Sequence, residues 1–161
     1  MELTVRSATA DDARAIGAVH MQCWREAYSH LLSVGFFDRR TPEQAAERWT
    51  HALATLPDGQ SVHVATADGR IVGFSSSGKS RDEPPVRELE LWSLYLLAEH
   101  HGFGLGQRLL DAALGDAPAS LWMAKRNPRA HAFYRRNGFV PDGLERSYES
   151  WENLEEIRLV R

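Results

Sequence analysis

Glu90-Leu-Trp-Ser-Leu-Tyr-Leu-Leu97 runs, after three residues, into His101-Gly-Phe-Gly-Leu-Gly106. An apolar strand thus enters a loop with glycine at every second position, and a helix opens straight out of it. Leu105, Leu109, Ala112 and Ala113 recur at i, i+4, i+7 and i+8, one face of an α-helix. The amides of Gly102, Phe103, Gly104, Leu105, Gly106 and Gln107 are then left without intrahelical acceptors, at the positive end of the helix dipole. Glycine carries no Cβ, so a bulky anion can come close to the main chain. The loop is predicted to cradle a diphosphate.

Two familiar diphosphate loops do not fit. G-x-G-x-x-G fails in both frames, because its last glycine falls at Gln107 or Leu109, and no Gly-Lys-Ser/Thr follows for a G-x-x-x-x-G-K-[ST] loop. The string present, His101-x-x-Gly104-x-Gly106, resembles the [Q/R]-x-x-G-x-[G/A] signature of the GCN5-related N-acetyltransferases (GNAT), with His101 replacing the usual Gln or Arg. A second segment, Asn127-Pro-Arg-Ala-His-Ala-Phe-Tyr-Arg-Arg-Asn-Gly-Phe139, is similar to that family's N-x-x-A-x-x-F-Y-x-x-x-G-F element. With Trp24-Arg-Glu-Ala-Tyr28 near the start, the resemblance covers nearly the whole chain.

Composition agrees with a globular domain. A chain of 161 residues suits one domain, expected to span 1–161. Nineteen Lys and Arg against 22 Asp and Glu leave a net charge of −3, with no basic run to suggest a nucleic-acid partner. Apolar runs fall far short of the roughly 18 residues of a membrane span, and the first residues lack the apolar core of a signal peptide. Cys23 is the one cysteine, so a cytoplasmic location is expected, with Cys23 itself a small buried hydrophobe. The histidines match no zinc spacing, and no metal is expected.

Local signals lay out the rest. Leu3–Arg6 reads as a strand, and Thr9-Ala-Asp-Asp12 as a capping box opening a helix with Ile16, Val19, Cys23 and Ala27 on its core stripe. Thr41-Pro42-Glu43 opens another, to about Ala54. Val62–Thr66 and Arg70–Ser75 flank Asp68-Gly69 as a hairpin, and Leu121–Ala124 is a short strand. Phe139-Val140 and Ile157–Val160 read as closing strands on either side of a charged loop. The resemblance implies the matching architecture: an α/β (α+β mixed) fold whose central sheet, mostly antiparallel, has six to seven strands flanked by about four helices.

It also implies a reaction, transfer of the acetyl group of acetyl-CoA to a primary amine by direct attack in a ternary complex. By resemblance, the amides of Gly102 to Gln107, with His101, hold the pyrophosphate of the co-substrate. Main chain of Leu94, Tyr95 and Leu96 pairs with the pantetheine arm as an added strand. Asn127 meets the same arm, and its Asn-Pro context makes it a helix cap as well. Tyr134 is the acid that protonates the departing thiolate. Seven residues along one helix separate it from Asn127, about 10 Å and 20° around the axis. Glu90 is the candidate base, with Glu88 or a water as alternatives, since an alkyl ammonium near pKa 10.4 costs roughly 4–5 kcal/mol to deprotonate at pH 7. Trp24, Tyr28 and Trp92, with His20 in the same stripe, would wall the amine site. The expected acceptor is a small-molecule amine. A protein N-terminus or lysine is a second reading and a non-catalytic CoA sensor a third; a homodimer is allowed by the Trp-rich surface.

Overall fold

The computed structural model describes residues 1–161. Seven segments hydrogen-bond into one sheet: Leu3–Ser7 (β1), Ser61–Ala67 (β2), Arg70–Lys79 (β3), Leu89–Leu96 (β4), Ser120–Ala124 (β5), Val140–Arg146 (β6) and Glu156–Val160 (β7). Their order is β1-β2-β3-β4-β5-β7-β6. Every neighbouring pair is antiparallel except β4 and β5, which are parallel and meet only at Glu90–Ser120 and Leu91–Leu121. Beyond Leu91 those two strands part, and the molecule opens there.

Five α-helices flank the sheet: Ala13–Tyr28 (α1), Val34–Asp38 (α2), Pro42–Ala54 (α3), Leu105–Leu114 (α4) and Pro128–Arg136 (α5). The expected mixed architecture is present, with one helix more than the sequence suggested. That helix, α2, has only five residues, too few for a periodic signal, and Ser33 caps it by accepting from the Phe36 amide at 3.1 Å. Asp12 closes the expected box with a 2.8 Å bond from the Thr9 amide, and Gln44 does the same for Thr41 at 3.1 Å. β6 is longer than the expected Phe139-Val140. Pro141-Asp-Gly reads as a turn, but the chain bulges through it and rejoins β7 at Glu145, with Gly143 at φ +94°.

The helices cover both faces. Ile16, Val19 and Cys23 of α1 pack on Val62, Val64 and Phe74. Leu105 and Leu109 of α4 meet Ala65, Ala67 and Val72 on the other face, while Leu110 and Leu114 join Tyr134, Phe139 and Leu121. Two serines of β3 pin α4 in place: Ser75 Oγ donates to Leu109 O at 3.1 Å and Ser77 Oγ to Ala113 O at 2.9 Å, one turn apart. Buried hydroxyls paired in this way satisfy their own desolvation cost and fix where α4 begins.

Candidate active site

The N-terminus of α4 is a bare row of donors. Gly104 is its N-cap, at φ +80°, and Gly102 sits at φ +86°. A Cβ at either would meet nothing within 4 Å, so glycine is needed there for backbone conformation, and the space above the loop stays open. No amide from Gly102 to Gln107 finds an acceptor in the protein; the first bond of the helix is Arg108 N–H to Gly104 O, 3.1 Å. Six consecutive free N–H groups at a helix start can bind an anion by direct bonding and by the dipole. His101 bends back, its Nε2 2.8 Å from Leu96 O, and so ties the loop to the end of β4. Gln107 is likewise held, donating to Asp111 and to Asn137. Phe103 is exposed, and Leu105 points into the core.

A cavity of about 870 Å³ runs from this loop into the gap between β4 and β5. Its walls include Leu94, Tyr95 and Leu96 of β4, Trp122 of β5, Tyr28 of α1, and Asn127 and Tyr134 of α5. Pairing on the β3 side steps from Ser76–Ser93 to Ser77–Leu91, which makes Trp92 an extra, bulged residue. Trp92 borders the cavity, while its indole donates to Lys79 O at 3.2 Å and closes on Gly78, where any Cβ would stand 2.6 Å from the ring. On its β5 side, β4 has no partner from Trp92 onward and presents a strand edge able to take an extended arm. Arg126, Arg129 and Arg136 line the cavity against one carboxylate, Glu26, a charge balance suited to a phosphorylated ligand. Arg129 and Arg136 are i and i+7 on α5, a spacing visible in the sequence but not used there.

Asn127 caps α5, its Oδ1 accepting from Ala130 N–H at 3.1 Å, which leaves the amide N–H₂ for another partner. Tyr134 is buried against Phe133 and Phe139, with ring centroids 5.2 and 5.8 Å away. Burial, reinforced by neighbouring Tyr28, pushes its phenol well up and keeps it protonated. Burial likewise raises Tyr28 to about 12 against the pull of nearby Asn127 and Tyr95, and raises Tyr95 as well. The hydroxyls of Tyr28, Tyr95 and Tyr134 thus gather as neutral donors at the inner end of the cavity.

Not every expected site residue faces the cavity. Glu90 is 1% exposed and absent from its walls. Arg81 holds both its oxygens: Nη2 to Oε1 at 2.7 Å, Nε to Oε1 at 3.2 Å, and the Arg81 amide to Oε2 at 2.7 Å. A carboxylate so saturated anchors the loop before β4, which speaks against Glu90 as the base. Trp24 is also set back, stacked on Phe36 (5.8 Å, 6°) with Trp151 and Tyr28 at its edges. His20 lies deeper, ringed by Trp24, Trp49, Phe74 and Tyr95, and burial lowers it to about 4. It is a neutral core histidine. Cys23 lines the cavity as a thiol raised to about 12, mainly by burial, and is inert at neutral pH.

Known proteins match this chain at both levels. The Acetyltransferase (GNAT) family profile covers residues 21–139. The probable N-acetyltransferase Rv2775 of Mycobacterium tuberculosis is 25% identical over 88% of this chain and 82% of its own length. The uncharacterized N-acetyltransferase YuaI of Bacillus subtilis is 27% identical over 78% and 74%. In fold, the PaiA N-acetyltransferase of Thermoplasma acidophilum, solved in complex with coenzyme A, superposes with a TM-score of 0.71 at 18% identity, covering 99% of this chain and 98% of that one. No helix here is long and apolar enough to cross a membrane. Since the profile match takes in most of the sequence, the chain belongs to the GNAT family and is an acetyl-CoA-dependent N-acetyltransferase.

Proposed function

We propose that the acceptor is a primary amine of a small molecule, acetylated by direct attack within a ternary complex. The observation that carries this reading is the cover over the aromatic cluster behind the cavity. The segment between β6 and β7 is tied down onto α2: Glu152 accepts from the amide and hydroxyl of Ser33, Arg40 donates to Ser150 O at 3.2 Å, and Trp151 packs on Trp24. A peptide acceptor would need an open channel across this face, whereas the cover leaves room for a compact amine.

In this reading the amides of Gly102 to Gln107, with His101 bracing the loop, take the pyrophosphate of acetyl-CoA. The open edge of Leu94, Tyr95 and Leu96 and the side chain of Asn127 hold the pantetheine arm. The amine nitrogen forms its bond to the thioester carbonyl carbon, the C–S bond breaks, and Tyr134 gives its proton to the thiolate. Burial keeps the phenol protonated and so able to donate, although its raised pKa makes the transfer to a thiolate uphill. Tyr28 and Trp92 border the acceptor, with Trp24 behind Tyr28. Thiol release from acetyl-CoA, measured over small amines and over peptides with free N-termini or lysines, tests the reading. Turnover confined to small amines is expected; turnover confined to peptides overturns it.

A further inference from the structure

Glu156 is a buried carboxylate with an unused oxygen. It is 8% exposed, and its one partner is Arg146, whose Nε donates to Oε2 at 2.8 Å. Oε1 has no partner in the protein, yet it is not sealed from solvent. Pairing of Glu156 with Ala124 across β5 and β7 puts both side chains on one face of the sheet. Ala124 packs there with Tyr28, and Trp24 and Trp151 complete the cluster. The charge of Glu156 is felt at the hydroxyls of Tyr28 and Tyr95, both of which line the cavity. The groups it meets are therefore Arg146 from β6, Tyr28 from α1 and Tyr95 from β4.

The other acidic candidates are occupied. Glu26 accepts from Gln22 Nε2 at 3.1 Å and from the Ala98 amide at 2.9 Å, one bond on each oxygen. Glu90 is saturated by Arg81. A buried carboxylate near a tyrosine hydroxyl, with one oxygen to spare, can draw a proton through that hydroxyl.

We propose that Glu156, which does not itself line the cavity, takes the acceptor's proton through the hydroxyl of Tyr28, which does. This rests on amine acetylation as proposed above and names the residue that prepares the nucleophile. The protons balance. The ammonium gives one to Glu156, which releases it to solvent; after C–N bond formation the nitrogen loses a second, and the thiolate gains one from Tyr134, which that second proton restores. The products are the N-acetyl amine and the free thiol of CoA.

The test is kcat/KM for the best amine in Glu156→Gln from pH 7 to pH 10, beside Arg146→Met. At pH 7 only about one alkyl amine in 2,500 is unprotonated, so a proton acceptor matters most there and little near pH 10. A positioned base typically contributes at least about 100-fold. E156Q is therefore expected to lose about 100-fold at pH 7 and less than about tenfold at pH 10, with unchanged CoA affinity by calorimetry. R146M, which breaks the same ion pair from its other end, should lose less than E156Q at pH 7. Wild-type rates in E156Q, or a loss constant with pH and equal in R146M, overturn the proposal by making Glu156 an anchor for Arg146. Should E156Q not fold, Glu156→Asp keeps the charge but draws it back, and the same narrowing with pH, from a smaller loss, is expected. Peptide-only turnover in wild type refutes the small-molecule reading while the E156Q comparison proceeds on the peptide; silence with every amine refutes both.

Discussion

The two ends of the cavity are made of different material. At the loop before α4, the donors are main-chain amides of six consecutive residues, shaped by glycines at φ +86° and +80°. At the aromatic end, the polar groups are side chains from three separate elements, Tyr28 from α1, Tyr95 from β4 and Tyr134 from α5, with Glu156 of β7 outside the walls but felt at Tyr28. A site of amides is indifferent to pH and to most side-chain changes but fails at one backbone position. A site of side chains depends on packing, on protonation and on every strand that brings its members together.

Gly104→Val should break the loop end outright. Its φ of +80° is a conformation that β-branched residues avoid, and the new side chain would stand over the free amides. Charge-assisted bonds are worth about 1.5–3 kcal/mol each, so losing two weakens CoA binding by about 1,000-fold. Calorimetry with CoA reads this directly, and an affinity within tenfold of wild type would show that phosphate does not sit on these amides.

Tyr134→Phe should strike the other end alone. Without its acid, turnover is expected to fall about 100-fold while CoA affinity stays within about twofold. Stopped-flow thiol release with calorimetry separates the two quantities. An unchanged turnover number removes Tyr134 from the chemistry.

The same contrast governs what the amino-acid string reveals. The loop end was legible because the site is the string: Gly102 to Gln107 are contiguous, and their glycines announce the backbone they need. Asn127 was legible for a like reason, since Asn-Pro is a local cap signal. Glu90 reads as a free strand-end acid because its partner Arg81 folds back from a loop nine residues earlier, and nothing in the strand pattern reports that ion pair. Glu156 was passed over beside Glu155 as part of a charged connection. Its burial depends on β7 pairing with β5, a contact between Ala124 and Glu156 that no local period encodes. Trp24 and Tyr28 have the helical spacing expected of a common face, but α2, too short to detect, supplies the Phe36 that turns Trp24 away from the cavity.

A titration sharpens the comparison further. His20 lies beneath the aromatic end, and burial depresses it to about 4 from an ordinary 6.5. As pH falls, the unfolded chain therefore takes up this proton first. The contribution to stability is complete above about pH 6.5 and is lost on the way down to about pH 4. Between pH 7 and pH 5 this amounts to about 2 kcal/mol, roughly 30-fold in the folding constant. Urea unfolding at the two pH values should show that difference, and His20→Asn should flatten it. A wild-type stability unchanged over this range would mean that His20 is charged in the fold.

Gly106→Ala is the smallest change and the finest probe of the loop. Gly106 is the second residue of α4 and has no positive φ; a Cβ there would make ordinary contact with the Phe133 ring at 3.8 Å. Alanine is the better helix former by at most about 1 kcal/mol, so the variant should be as stable as wild type or slightly more so. If the amides alone make the cradle, CoA affinity stays within about twofold, because the N–H groups keep their directions. A tenfold loss instead would mean that ligand atoms press against the Cα of Gly106 itself. The three alternate glycines would then serve close approach at Gly106 and backbone conformation only at Gly102 and Gly104.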